Sequence, residues 1–317
     1  MKGKKYCFVK ALGLMRRFVA NAWIRLIFVL LGAKGFAQGV GTNISYNVNV
    51  DIQVKEDKKE DYEMSHSPKA VRHYREATQA FLGKQYSQAL SLLAPVLEKE
   101  PNFPEAHYLA GLTYMKLKQY NHAIPHFQQA FKNNETDRNV FYQLALAYKE
   151  VGQVDSAWQV VKTGLTRFPE EIPLLYLQGE VAVLKGDYEA ARVIYETVLQ
   201  LESTPIGYYY LGLANEKRNA YEQAKQAYLK AYELDSTFSY ALTNLGYLYY
   251  LEGDCEKSLF YFDKALALRP EDVFALYYKG MCLHTLDDKE SVRQIYEKLL
   301  KLDPQAANRF QQIVGER

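Results

Sequence analysis

Residues Ser239 to Asp272 read SYALTNLGYLYYLEGDCEKSLFYFDKALALRPED. Leu242, Leu245 and Tyr249 recur at helical spacing in the first half, Phe262, Ala265 and Leu266 in the second. The stretch therefore predicts two amphipathic helices, joined by a turn at Leu251-Glu252-Gly253-Asp254. Gly246 stands inside the first helix, where glycine costs ~1 kcal/mol relative to alanine. That cost points to a contact too close for a side chain. Pro270 closes the unit, because proline lacks the N–H that another helical turn would need. Neither helix covers its own apolar face, so the unit requires neighbours.

The neighbours are present at a fixed period. With Ser239 as position one, the same pattern begins at Ala70, Pro104, Arg138, Ile172, Pro205 and Val273, at intervals of 34 residues except for 33 between the fourth and fifth units. Position eight is small throughout: Ala77, Gly111, Ala145, Gly179, Gly212, Gly246 and Gly280. Position twenty is Ala89, Ala123, Ala157, Ala191, Ala224, Ser258 and Val292, and position twenty-four is Leu93, Phe127, Val161, Tyr195, Tyr228, Phe262 and Tyr296. Small residues at eight and twenty let paired helices approach, and bulky ones at twenty-four fill the space beside them. Pro101, Pro169, Pro270 and Pro304 recur at position thirty-two.

This pattern resembles the tetratricopeptide repeat family, whose helix–turn–helix unit has this length. The resemblance covers about Lys69 to Pro304 in seven copies. It implies an all-α fold, a right-handed α-solenoid (superhelix) of seven helix–turn–helix units. The departures are Glu76 and Ala80 in the first unit, read as an end unit, and the absence of the family's frequent Trp at position four. A C-terminal capping helix is expected over 305–314. There Ala306, Phe310, Ile313 and Val314 make an apolar face, and Asn308, Arg309, Gln311 and Gln312 a polar one, as a terminal repeat needs.

The resemblance also implies a concave groove lined by the first helix of each unit, at positions two, five, nine, twelve and thirteen. Position five reads Tyr74, Tyr108, Tyr142, Tyr176, Tyr209, Thr243 and Tyr277. Two readings of this ladder stand side by side: consensus packing against the next helix, or a row of phenols offered to a partner. Tyr240, Tyr247, Tyr250 and Phe274 add aromatic groove positions in the last two units. The candidate partner-binding residues are thus Tyr108, Tyr142, Tyr176, Tyr209, Tyr240, Tyr247, Tyr250, Phe274 and Tyr277. The family's chaperone-tail-binding members use Lys at position five and Asn at position nine; no unit here has either. A carboxylate clamp is not expected.

The first 37 residues read as a signal peptide. They carry eight basic residues from Lys2 to Lys34 and no acidic one, an apolar run from Leu26 to Leu31, and Gly35-Phe36-Ala37 for a signal peptidase. Cleavage after Ala37 would leave Gln38 first, with Met15 an alternative start. The destination expected is the periplasm, with an uncleaved N-terminal anchor as the alternative. Across the chain 39 basic side chains face 37 acidic ones, a net +2; without the leader 31 face 37, a net of −6. An acidic domain is a poor match for phosphate backbones, so no nucleic-acid partner is expected.

Residues 38–68 form a linker. Asn43 to Val54 alternates apolar Ile44, Tyr46, Val48, Val50, Ile52 and Val54 with polar residues, a strand pattern that could add to a partner's sheet edge. The charged run KEDKKEDYE follows. No phosphate-binding loop, His-Glu-x-x-His, Cys-x-x-Cys or Gly-x-Ser-x-Gly occurs, so neither an enzyme nor a cofactor nor a small-molecule substrate is expected. His122 and His126 could face one metal, but two ligands make a weak site; a solvent-facing pair is preferred. For Cys255 and Cys282, separate buried thiols are preferred to a bridge.

Two functions fit. The first is an exported scaffold holding a protein or peptide segment in its Tyr-lined groove. The second is a structural or assembly subunit of a cell-envelope complex, using the convex face and the 43–54 segment.

Overall fold

Each apolar period becomes a helix. The computed structural model describes residues 66–133 and 137–315; the leader with its cleavage point after Ala37 and the alternating segment Asn43–Val54 lie outside them. Among the described residues there are fifteen helices and no strand. The seven pairs are α1 (Pro68–Leu82) with α2 (Tyr86–Lys99), α3 (Pro104–Lys116) with α4 (Tyr120–Asn133), α5 (Arg138–Glu150) with α6 (Val154–Arg167), α7 (Ile172–Leu184) with α8 (Tyr188–Leu201), α9 (Pro205–Lys217) with α10 (Tyr221–Leu234), α11 (Ser239–Glu252) with α12 (Cys255–Leu268), and α13 (Val273–Thr285) with α14 (Lys289–Leu302). A single helix, α15 (Pro304–Val314), follows. This is an α-solenoid whose core is continuous between successive pairs.

The turn within each pair has one solution. Position fifteen takes a positive φ in all seven units: Lys84, Lys118, Gly152, Gly186, Asn219, Gly253 and Asp287. The next residue's N–H then donates to the carbonyl five residues back, at 2.8–3.0 Å, as from Gln85 to Ala80 and from Asp288 to Leu283. This is the Schellman closure, which satisfies carbonyls that a helix end leaves open. Asp187, Asp254 and Asp288 at position sixteen then cap the second helix with a side-chain oxygen.

Within a pair, position eight sits on position twenty-four. A Cβ on Gly111 would lie 2.5 Å from the Phe127 ring, on Gly179 2.4 Å from Tyr195, on Gly212 2.4 Å from Tyr228, and on Gly246 2.7 Å from Phe262. Where position eight is Ala, at Ala77 and Ala145, position twenty-four is the smaller Leu93 or Val161. The pair is sized jointly. In the seventh unit Gly280 faces Phe310 of α15, at 2.6 Å, and Ile295, at 2.9 Å, while Tyr296 is half-buried. The capping helix thus supplies the ring that Tyr296 does not. One expectation for α15 fails: Ile313 is 42% exposed, and the inward face is Ala306, Ala307 and Phe310.

Candidate interaction groove

Position five is a joint between units. Tyr74 packs on Phe103 with ring centroids 5.1 Å apart, and Tyr209 on Phe238 at 5.6 Å. Tyr176 shares a hydrogen bond with Thr204, oxygen to oxygen 3.0 Å, and the Thr243 hydroxyl donates to Asp272 Oδ2 at 2.9 Å. In each case the partner is the residue just before the next unit begins. Tyr277 meets the cap at Phe310, 5.6 Å away. Tyr176 and Tyr209 are 1% and 0% exposed, and Tyr277 is buried. These three rings hold the units together and cannot lie against a partner, which corrects their assignment to an open ladder. Tyr108 and Tyr142 are half-buried. Tyr108 packs on Phe127 at 5.8 Å, and burial raises the pKa of its phenol, as does the charge of Asp137.

The remaining candidates gather on α11 and α13. Tyr247 meets Phe274 at 5.2 Å and Tyr278 at 4.8 Å; Tyr250 meets Tyr278 at 5.2 Å; Phe274 meets Tyr278 at 4.6 Å. Tyr247, Tyr250 and Phe274 are half-buried, while Tyr278 beneath them is buried. Three aromatic side chains thus present area to the outside over a fixed base, an arrangement that loses little entropy on contact. Tyr278, at position six, was not foreseen, because position six counts neither as groove nor as core in the repeat pattern. Tyr240 stands apart, half-buried under the Arg269 guanidinium, 3.8 Å from ring centroid to Cζ. Arg269 is in turn paired with Asp272.

Polar groups along the same helices are mostly satisfied. Lys149 Nζ reaches Glu180 Oε2 at 2.6 Å, and the Tyr210 hydroxyl donates to Glu180 Oε1 at 3.2 Å. Glu216 accepts from the Tyr228 hydroxyl at 2.9 Å.

On the opposite, second-helix side, Phe260 is 54% exposed with Lys264 Nζ 4.6 Å from its ring centroid. Tyr249 stacks on Tyr261 at 5.4 Å, and Lys225 and Lys257 lie over the Tyr249 ring. Tyr249 therefore belongs to this outer surface as much as to the core.

The histidines form a different arrangement from a solvent-facing pair. His107 Nε2 donates to the Pro101 carbonyl at 3.0 Å, so its neutral Nδ1 accepts from His126 Nδ1–H at 3.1 Å. Tyr114 stacks on both His122 and His126 at 5.4 Å. His122 is exposed and His126 half-buried. Among the described residues no group of three or more His, Cys, Asp or Glu is placed to hold a metal. Cys255 and Cys282 are free and buried, and the Cys282 thiol donates to Ser258 Oγ at 3.2 Å.

Comparison with known proteins adds to this picture. A family model described as "Psidin, N-terminal TPR repeats region" matches residues 72–199, and one described as "Tetratricopeptide repeat" matches 176–237 and 243–307. A TPR repeat-containing protein of Methanocaldococcus jannaschii is 27% identical over 171 residues, which is 52% of this chain and 29% of that protein. Superkiller complex protein 3 of Homo sapiens is 27% identical over 257 residues, 76% of this chain and 16% of that protein. The chain thus spans less than a third of the length of either relative. The crystal structure of a tetratricopeptide repeat protein from Parabacteroides merdae superposes with a TM-score of 0.65 at 14% identity, covering 79% of this chain and all of that one.

Proposed function

The chain is a tetratricopeptide repeat protein, and on that premise we propose that it acts as an exported scaffold, binding a protein or peptide segment in the groove of its last two units. The carrying observation is the half-buried cluster Tyr247, Tyr250 and Phe274 over buried Tyr278. Aromatic anchors over a rigid base are the residues on which interface energy concentrates. Binding alone, without chemistry on the partner, is the activity this reading gives the chain. Export rests on the leader's order of charge, apolar run and small residues.

A second reading has an observation of its own. Phe260 is exposed beside the Tyr249–Tyr261 stack on the second-helix face, which suits a permanent contact within an envelope complex. Photo-crosslinking amino acids placed at Tyr250 and at Phe260 in the native cell separate the two. The groove reading expects a discrete partner adduct from position 250. An adduct from position 260 alone would transfer the function to the outer face.

A further inference from the structure

We infer that Glu216 receives a lysine or arginine side chain of the partner segment, whose adjoining apolar side chains lie across Tyr247, Tyr250 and Phe274. The inference rests on the groove reading above and adds the chemistry of the partner to it.

The chain shows how it holds a cation against its own surface. Lys225, 8% exposed, sits between Glu222 and Glu252, 2.7 Å from each, with its Nζ 5.0 Å from the Tyr249 ring centroid. Arg269 pairs with Asp272 and lies 3.8 Å over the Tyr240 ring. In both, a carboxylate and a tyrosine face combine, since a ring face attracts a cation that a carboxylate has already drawn in. Glu216 and Tyr247 repeat that combination without the cation. Glu216 is half-buried at position twelve of the fifth unit, and among the described residues no lysine or arginine forms an ion pair with it. Lys217 follows it in the chain and makes no ion pair with it either. The Tyr228 hydroxyl is its hydrogen-bond donor.

Glu180 marks the difference. It lies on the same row of helices in the preceding unit, and Lys149 neutralises it at 2.6 Å. A half-buried carboxylate without such a partner is poorly solvated, and burial raises the pKa of Glu216, with the Tyr228 hydrogen bond and Lys217 acting the other way. Tyr247 feels the same charge: burial first, then Glu216, pushes its phenol up to about 12. Position twelve of one unit faces position nine of the next, as Lys149 faces Glu180 at 2.6 Å, and Glu216 and Tyr247 occupy those two positions in the fifth and sixth units. A basic group entering between them would regain for Glu216 what Lys149 gives Glu180, while the aromatic cluster next to it takes apolar neighbours.

The test is selection of a displayed library of random short peptides on the full-length protein, on Glu216→Gln, and on the Tyr247→Ala/Tyr250→Ala double variant. Glutamine keeps an acceptor for Tyr228 and removes the charge. Peptides selected on the unaltered protein should carry Lys or Arg at a fixed offset from aromatic or aliphatic residues. On Glu216→Gln those peptides should bind at least about tenfold more weakly, and fresh selection should return apolar sequences without the basic preference. Peptides that need the two tyrosines yet show no basic preference on the unaltered protein, or keep it on Glu216→Gln, overturn this inference and leave the groove reading standing. Selected peptides indifferent to the tyrosines, or no selected peptide at all, overturn the groove reading as well.

Discussion

The ring of Phe262 fills the space a Cβ on Gly246 would enter, with the nearest ring carbon 2.7 Å from that position. The pair is therefore one packing element divided between two helices. Gly246→Ala should destabilise the array by about 1–3 kcal/mol through overpacking, despite alanine's better helix propensity. Phe262→Leu alone should leave a cavity and also destabilise. Together they reproduce the Ala77/Leu93 pair of the first unit, so the double variant should recover part of the loss. A double-mutant cycle in denaturant should show coupling of about 1 kcal/mol or more. Strict additivity would refute the joint sizing.

Glycine at position fifteen answers a different demand. A Cβ on Gly253 would meet nothing within 4 Å, yet its φ is 81°; the constraint there is backbone alone. Lys118 holds φ 56° at the same position with a side chain attached. Lys118→Gly should therefore stabilise by about 1 kcal/mol, and Gly253→Ala should cost about as much. Thermal melts of the two single variants check this. Movement of both in the same direction would contradict it.

The repeat was legible in the sequence because the first six units size position eight against position twenty-four and all seven share one turn, the seventh setting Gly280 against Phe310 of the cap instead. The capping helix was legible for a similar reason, in a periodic face around Phe310. Position five was not. Its tyrosines read equally well as wall or joint, and the deciding partner is the last residue of the unit, whose identity varies through Phe103, Thr204, Phe238 and Asp272. A varying partner leaves no period to read. Tyr278 was missed because its role depends on three rings from two helices. Glu216 was missed because the sequence does not show which carboxylates find a lysine.

Acid should loosen the second unit first. Folding lowers the pKa of His126 to about 4, through burial and then the nearby His107 and His122, and burial lowers that of His107. Unfolded histidine takes up its proton near 6.5, so the unfolded state binds more protons as pH falls below that value. The neutral pair's contribution is thus whole near neutrality and is lost as pH drops through 6.5 towards 4. Protonated His107 would also turn a second N–H towards His126. With its partial exposure to water, His126 should account for about 1 kcal/mol between about pH 7 and about pH 5. His126→Gln should melt with a shallower acid dependence than the unaltered protein, read by circular dichroism. Parallel curves would remove the pair from the explanation.

Export makes a covalent prediction. The leader, if processed after Ala37, leaves Gln38 or its cyclised form at the N-terminus. The intact mass of protein isolated from its native cell should fall by the mass of residues 1–37. A full-length mass would favour the anchored alternative.

Joint and groove tyrosines should separate under truncation. Tyr209 is fully buried against Phe238, Tyr228 and Tyr240, so Tyr209→Ala removes a core ring and should cost about 3–5 kcal/mol. Tyr176→Phe keeps the ring and loses the hydrogen bond to Thr204, for about 1 kcal/mol. Tyr250 is half-buried at the edge of its cluster, and Tyr250→Ala should cost about 1 kcal/mol. Since units couple mainly to their neighbours, loss of hydrogen-exchange protection in Tyr209→Ala should centre on α9 to α11. Partner binding should show the opposite order: Tyr250→Ala weakens it with the fold intact, and Tyr176→Phe leaves it unchanged. If Tyr250→Ala unfolds the array as readily as Tyr209→Ala, the cluster on α11 and α13 is core, and the groove loses its anchor.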